Sequence, residues 1–191
     1  MPKIAIVYHS GYGHTKKQAL AVAAGARAGG AEVEVLEAED LQDPEQGRWD
    51  VLDAADAIIF GSPTYMGSVS GEFEKFADAT SKKWFTQAWK DKLAAGFSCS
   101  SSFHGDKATT LIRLVTLASQ HGMIWVSLGL MPGTPQHPDT DEDNLNRLGF
   151  YLGAGAQAGQ KASAEEAPTN GDLATAHHLG RRVAEQAARL G

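Results

Sequence analysis

Cysteine is almost missing from this chain: Cys99 is the single one. That excludes an internal disulfide and any zinc site built on several thiolates. Long apolar runs are missing too, and no stretch reaches the roughly 20 residues of a membrane-spanning helix. Positive charge is scarce, with 17 Lys and Arg against 23 Asp and Glu, a net charge of -6. Such a balance argues against nucleic-acid backbones and anionic membranes as partners. Met1-Pro2-Lys3 runs straight into a strand-like segment without a signal-peptide pattern. With the lone thiol, this sets the expectation of a cytoplasmic protein. Neither an internal repeat nor a linker is visible, so 1–191 is expected to form a single domain with a sizeable core.

Glycine is abundant, with 21 residues, many of them at the ends of strand-like runs. Lys3-Ile4-Ala5-Ile6-Val7-Tyr8 is short, β-branched and nearly all apolar, the pattern of a strand buried on both faces of a parallel sheet. Thr15 to Ala28 places Ala19, Leu20, Val22, Ala23 and Ala26 at helical spacing and stops at Gly29-Gly30. Glu32 to Leu36 alternates, as an edge strand does; Ala38 to Asp53 is acidic loop with a short turn of helix. Ala57 to Gly61 and Leu93 to Phe97 are central strands, and Ile124 to Leu128 is the fifth. Ser70 to Ala79 and Thr109 to Gln120 are helices between them. A Pro- and Asp-rich insertion at about 131–148 is loop-like. Gly149 to Gly159 is small and apolar and resumes the fifth strand. Asp172 to Leu190 is a last amphipathic helix, capped by Asn170 or Asp172. Five alternations of strand and helix predict an α/β fold, a doubly wound five-stranded parallel sheet of order 2-1-3-4-5 with helices on both faces.

Ligands of open α/β sheets sit at the carboxyl ends of the strands, and three loops there are distinctive. Ser10-Gly11-Tyr12-Gly13-His14-Thr15 joins the first strand to the first helix. Its glycines let the backbone turn N–H groups inward, which with the helix N-terminus suits a dianionic phosphate. It lacks the Gly-Lys-Ser/Thr of a nucleotide P-loop, and Lys16 stands where a dinucleotide fingerprint needs its third glycine. A monophosphate held mainly by neutral donors fits better. Gly-rich turns also join strands to helices with no ligand at all. The second loop is Gly61-Ser62-Pro63-Thr64-Tyr65-Met66-Gly67, where Tyr65 and Met66 offer a flat or soft surface to a planar ring. The third, Ser98-Cys99-Ser100-Ser101-Ser102-Phe103-His104-Gly105, has small side chains that leave amides open to a carbonyl edge. No Arg follows Cys99 to make a phosphatase loop, so Cys99 is a small buried residue rather than a nucleophile. His9, His104 and His137 form no metal-like grouping, and no metal site is expected. His177 and His178 read as surface residues of the last helix.

Taken together, Tyr8 to Thr15, Ala57 to Gly67, Trp84 to Phe97, Thr116-Leu117-Ala118 and His121-Gly122-Met123 resemble the flavodoxin superfamily. Within it the chain is most similar to the FMN-dependent NAD(P)H:quinone oxidoreductases, the tryptophan-repressor-binding-protein family. The resemblance covers most of the first 130 residues. It implies that Ser10, Gly11, Tyr12, Gly13, His14 and Thr15 hold the FMN phosphate. It implies that Thr64 to Met66 and Cys99, Ser100, Ser101, Ser102, Phe103 and Gly105 surround the isoalloxazine, with Pro63 and Gly67 shaping the second loop. It places His121 at the flavin, as proton donor or as a plain N–H donor, Tyr12 near NAD(P)H, and Trp84 near the quinone from a neighbouring subunit. A homodimer or homotetramer is implied. Two departures stand out: the region after the second strand is short, and Phe103 and His104 bring bulk to a loop that is Gly-rich in the family. On this reading the protein moves two electrons from NAD(P)H through FMN to a quinone. The rival is a flavodoxin-type electron carrier with FMN and no direct NAD(P)H activity. A receiver domain does not fit, because His9-Ser10 and Ser62-Pro63 stand where its acidic residues belong.

Overall fold

In a computed structural model, residues 1–133 and 144–191 are described, and the central part of the predicted insertion, with His137, lies outside them. Six strands form one parallel sheet: β1 (Lys3–Tyr8), β2 (Glu32–Glu37), β3 (Ala57–Pro63), β4 (Leu93–Ser100), β5 (Ile124–Trp125) and β6 (Ala154–Gln157). The order is β2-β1-β3-β4-β5, with β6 also on β4. β5 pairs with the start of β4 at Leu93 and Ala94, and β6 with its end from Phe97 to Ser100. The expected fifth strand is therefore one sheet position filled by two segments, because the chain leaves after Trp125 and returns at Ala154.

The helices are α1 (His14–Ala28), α2 (Trp49–Ala54), α3 (Gly71–Ala79), α4 (Ser81–Phe85), α5 (Lys107–Gln120) and α6 (Asn170–Leu190). A 3-10 turn, Ala38–Leu41, follows β2. Alternate residues of the buried strands feed two cores. Ala5, Val7, Ile58 and Phe60 pack with α2, α3 and α5 on one face. Ile4, Ile6, Ala57 and Ile59 pack with α1 and α6 on the other. Ser70 caps α3 by accepting from the Phe73 amide at 3.2 Å. The cap of α6 is Thr169, not the predicted Asn170 or Asp172: its side chain accepts from the Asp172 amide. Asp172 is buried and bound elsewhere, so the better-exposed hydroxyl one position before the helix takes the role.

Helices α1 and α6 touch backbone to backbone. A methyl at Gly25 would overlap the His177 carbonyl, and one at Gly180 would overlap the Val22 carbonyl. The two residues are thus mutual clearances, each letting the other helix in. Gly180→Ala is expected to cost about 3 kcal/mol in urea unfolding, the upper range for overpacking. Gly71→Ala, whose added methyl meets nothing within 4 Å, is expected to stay within about 0.5 kcal/mol of the parent.

Candidate flavin site

The loop after β1 is shaped by its own serine. Ser10 Oγ accepts from the Gly13 amide at 3.1 Å and from the Lys16 amide at 3.0 Å. Gly13, at φ 89°, takes the left-handed turn that starts α1. Among the described residues no protein acceptor faces the amides of Gly11, Tyr12, His14 or Thr15. Unpaired amides around a helix N-terminus, backed by its dipole, form an anion site.

These amides open into a cavity of about 460 Å³, within the ~300–1,000 Å³ usual for cofactor sites. Its wall is made by Gly11, Tyr12, His14 and Thr15, by Pro63, Thr64 and Tyr65, and by Cys99, Ser100 and Ser101. All three predicted loops therefore meet at one place. Tyr65 is held by a hairpin with Ser68, their amides and carbonyls exchanging bonds at 2.9 and 3.1 Å. Its ring meets those of Tyr12 and His9 edge-on, with centroids 6.5 and 6.3 Å away. Met66 and Gly67 are the hairpin tip, and Met66 is fully exposed. Thr64 Oγ1 turns inward to Ser98 Oγ at 2.9 Å and Thr110 Oγ1 at 2.8 Å, fastening the second loop to β4 and α5. Burial pushes the Cys99 thiol up to about 12, so it stays neutral, a small wall residue as expected. Ser102, Phe103 and Gly105 do not line the cavity. Phe103 turns outward over the Arg147 guanidinium, 5.8 Å from its ring, and its bulk does not narrow the pocket.

A fourth wall escaped the sequence reading. Ala158 to Ala162 lines the same cavity, and the strap that it begins crosses the N-terminus of α1. The His14 ring donates from Nε2 to the Ala162 carbonyl at 3.0 Å, and Lys17 Nζ donates to the Glu165 carbonyl at 3.0 Å. Lys161 lies on this strap and lines the cavity, so the wall adds a cation to the mainly neutral donors that were expected. The signal was positional: the strap follows the carboxyl end of β6, where the rule for open sheets places ligand loops.

Two predicted residues lie elsewhere. His121 follows α5, and Gly122 beside it accepts from the Asp91 amide at 3.0 Å, just before β4 begins. The loops at the far end of β4 are roughly 23 Å of strand away. Within one chain His121 is therefore remote from the cavity at which the resemblance placed it, a correction to the expectation. A helix that returns antiparallel to its strand carries its last residue to the opposite sheet edge. His121 is buried and lies on the Trp89 ring at 4.6 Å between centroids. Its Nε2 is 2.9 Å from Thr80 Oγ1, whose proton goes to the Ala77 carbonyl at 2.6 Å. Nε2 must then carry the hydrogen, and buried Nδ1 is bare and unpartnered. Trp89 is buried in the core, and half-exposed Trp84 sits on α4 at the same far edge as His121. No group of three or more His, Cys, Asp and Glu able to hold a metal occurs among the described residues.

The donor set fits FMN: unpaired amides at one end for a phosphate, and a slot between two loops at the other for a flat ring. The fold and this site define a flavodoxin-like protein that binds FMN. The NADPH-dependent FMN reductase family matches residues 2–131, and the chain belongs to that family. Flavodoxin FldP of Pseudomonas aeruginosa (strain UCBPP-PA14) is 47% identical over 100% of this chain and 99% of that protein. An NAD(P)H dehydrogenase (quinone) of Archaeoglobus fulgidus is 36% identical over 100% of both. The crystal structure of a WrbA-like flavodoxin from Agrobacterium tumefaciens, 43% identical, superposes with a TM-score of 0.74 over 99% of each chain.

Gly13→Val forces a β-branched side chain to positive φ and presses on Ala164 Cβ, 3.0 Å from the added carbon. It is expected to lose FMN, read as flavin released per chain, for a stability cost of about 1–3 kcal/mol. His121 gives a pH signature of the core. Burial lowers its pKa from 6.5 to about 4. Between those values the unfolded chain binds a proton that the folded one does not, so stability falls as pH drops from about 6.5 towards 4. His121→Gln is expected to flatten that part of a urea-midpoint profile against pH.

Proposed function

We propose that the protein uses one FMN to pass two electrons from NAD(P)H to a quinone or a similar small acceptor. The observation that carries this reading is the single cavity joining the open amides of α1 to the slot between the β3 and β4 loops. The relatives named NAD(P)H dehydrogenase (quinone) support the donor and the acceptor. When bound, FMN supplies reversible hydride acceptance. The chain supplies position. The amides of Gly11, Tyr12, His14 and Thr15 take the phosphate, with Lys161 adding positive charge at the rim. Pro63, Thr64 and Tyr65 bound one side of the ring, and Cys99, Ser100 and Ser101 the other. Exposed Tyr12 stands at the mouth, where the nicotinamide nucleotide enters. The neutral Cys99 thiol does not compete as a nucleophile for a quinone.

The working form is a homodimer or homotetramer in the cytoplasm. Trp84 and Phe85, at 48% and 82% exposed, support an oligomer, since neighbouring apolar side chains on a surface favour contact with another chain. In that assembly Trp84 reaches the acceptor side of a second chain's cleft, and His121 stays beneath Trp89.

The likeness to Flavodoxin FldP favours a second reading, a carrier whose FMN is reduced by a protein partner. Stopped-flow mixing separates the two. NADPH is expected to bleach the bound flavin within seconds, and benzoquinone to restore the colour. Flavin that dithionite bleaches, but neither NADPH nor NADH touches over minutes, would establish the carrier instead.

A further inference from the structure

Lys107 opens α5 and is fully buried, which is rare for a lysine. Its ammonium donates to Ser100 Oγ at 2.7 Å and to the Ser102 carbonyl at 2.8 Å, and lies 5.6 Å from the Phe150 ring centroid. None of these partners carries a charge. Asp172 is the carboxylate that acts on it from α6, and Asp172 is already taken. Arg147 grips both its oxygens, at 2.8 and 2.9 Å, and the Gln157 amide donates to it at 2.8 Å. Lys107, Arg147 and Asp172 together leave one positive charge in excess behind the β4 loop. The other titratable neighbours do not cancel it. Cys99 on β4 is held neutral by burial, and His104 and Asp106, in the loop before α5, point to solvent. A buried cation without a counter-ion is costly, and the cost falls when an anion arrives nearby.

The residue between this cation and the cavity is Ser100. Its Oγ accepts from Lys107, while the residue itself lines the cavity wall. The proton of that hydroxyl has only a long bond within the protein, to the Ser102 carbonyl at 3.4 Å; polarised by the ammonium, it is a strong donor that can turn to whatever occupies the slot. We propose that Lys107 is a positioning residue that, acting through Ser100, holds the reduced flavin of this site as its anion. The inference rests on the FMN reading above. Hydride addition brings two electrons and one proton to the neutral oxidised ring and leaves it a monoanion; a second proton from water would neutralise it. The excess positive charge behind Ser100 favours the monoanion and disfavours that second proton. Burial lowers the Lys107 pKa to about 8, so the charge is present at neutral pH and fades above it.

The test is the midpoint potential of the FMN-loaded protein against pH, from dye-equilibrated reductive titration. Between pH 6 and 7.5 the wild type is expected to follow one proton per two electrons, about 30 mV per pH unit. Lys107→Met is expected to take up the second proton and show twice that slope. It is also expected to favour oxidised over reduced FMN at least tenfold more than the wild type does at pH 7, a fall in potential of about 30 mV. Lys107→Arg, which keeps the charge, is expected to restore the wild-type slope, and the gap between wild type and Lys107→Met to narrow above pH 8. Equal slopes and potentials in wild type and Lys107→Met, with both holding stoichiometric FMN, would reduce Lys107 to a strut and overturn the proposal. If Lys107→Met does not fold, the wild type alone decides: a two-proton slope below pH 7.5 overturns it. A wild type that binds no FMN removes this proposal together with the functional reading, an outcome distinct from unchanged potentials.

Discussion

Helix α6 lies so close to α1 that glycine faces carbonyl on both sides, and the rest of the site depends on that approach. The chain between β6 and α6 has to start at the carboxyl edge of the sheet and end on the far side of α1. It therefore crosses the N-terminus of α1. The crossing turns an exposed helix end into a walled one. His14 and Lys17 bind the strap's carbonyls from α1, and Ala158 to Ala162 close the cavity from above. An anion there meets amides and a helix dipole in surroundings less watery than the surface, where each interaction counts for more.

Behind the second wall sits a polar knot unusual for a core so rich in alanine. Arg147 and Asp172 are bidentate and nearly buried, at 10% and 2% side-chain exposure. Gln157 is bound to both of them, through its amide and its side-chain oxygen. Such a pair contributes little net stability against an apolar substitute, but losing one partner strands a charge. Its geometric effect is plain. It ties the chain just before β6, β6 itself and the first turn of α6 to one point, next to the loop that carries Ser100 and Lys107. Packing sets the sheet, and this knot sets where the cofactor-facing loops end.

Most of the fold could be read before any coordinates. The buried strands are β-branched and short, their helices carry clear apolar stripes, and a doubly wound order follows from alternation and handedness. The resumption of the fifth strand was visible in the small residues from Gly149 to Gly159. Three of the four cavity walls follow from one rule, that ligands sit at the carboxyl ends of strands. What sequence did not reveal has a common cause. The strap, Lys107 and the place of His121 all depend on where a helix sends its ends. The motif around His121 carries its identity without its direction, and α5 runs back to the opposite edge. Lys107 looks like any amphipathic-helix lysine until the loop before it, with Gly105 and Asp106 both at positive φ, folds it inward. The short α4 was missed because Lys82 and Lys83 break the apolar pattern that would announce it.

The two-part fifth strand has an evolutionary reach of its own. Because β5 and β6 are each fastened separately to β4, the chain leaves the sheet opposite Ala94 and rejoins it opposite Phe97, on the same strand. Changes of length that spare Arg147 and its bonds to Asp172 leave both pairings on β4 in register, and lengthening such a loop costs little closure entropy. It returns directly into the strand that leads to the cavity. Chain length can therefore vary between β5 and Arg147 while the walls of the cavity keep their places.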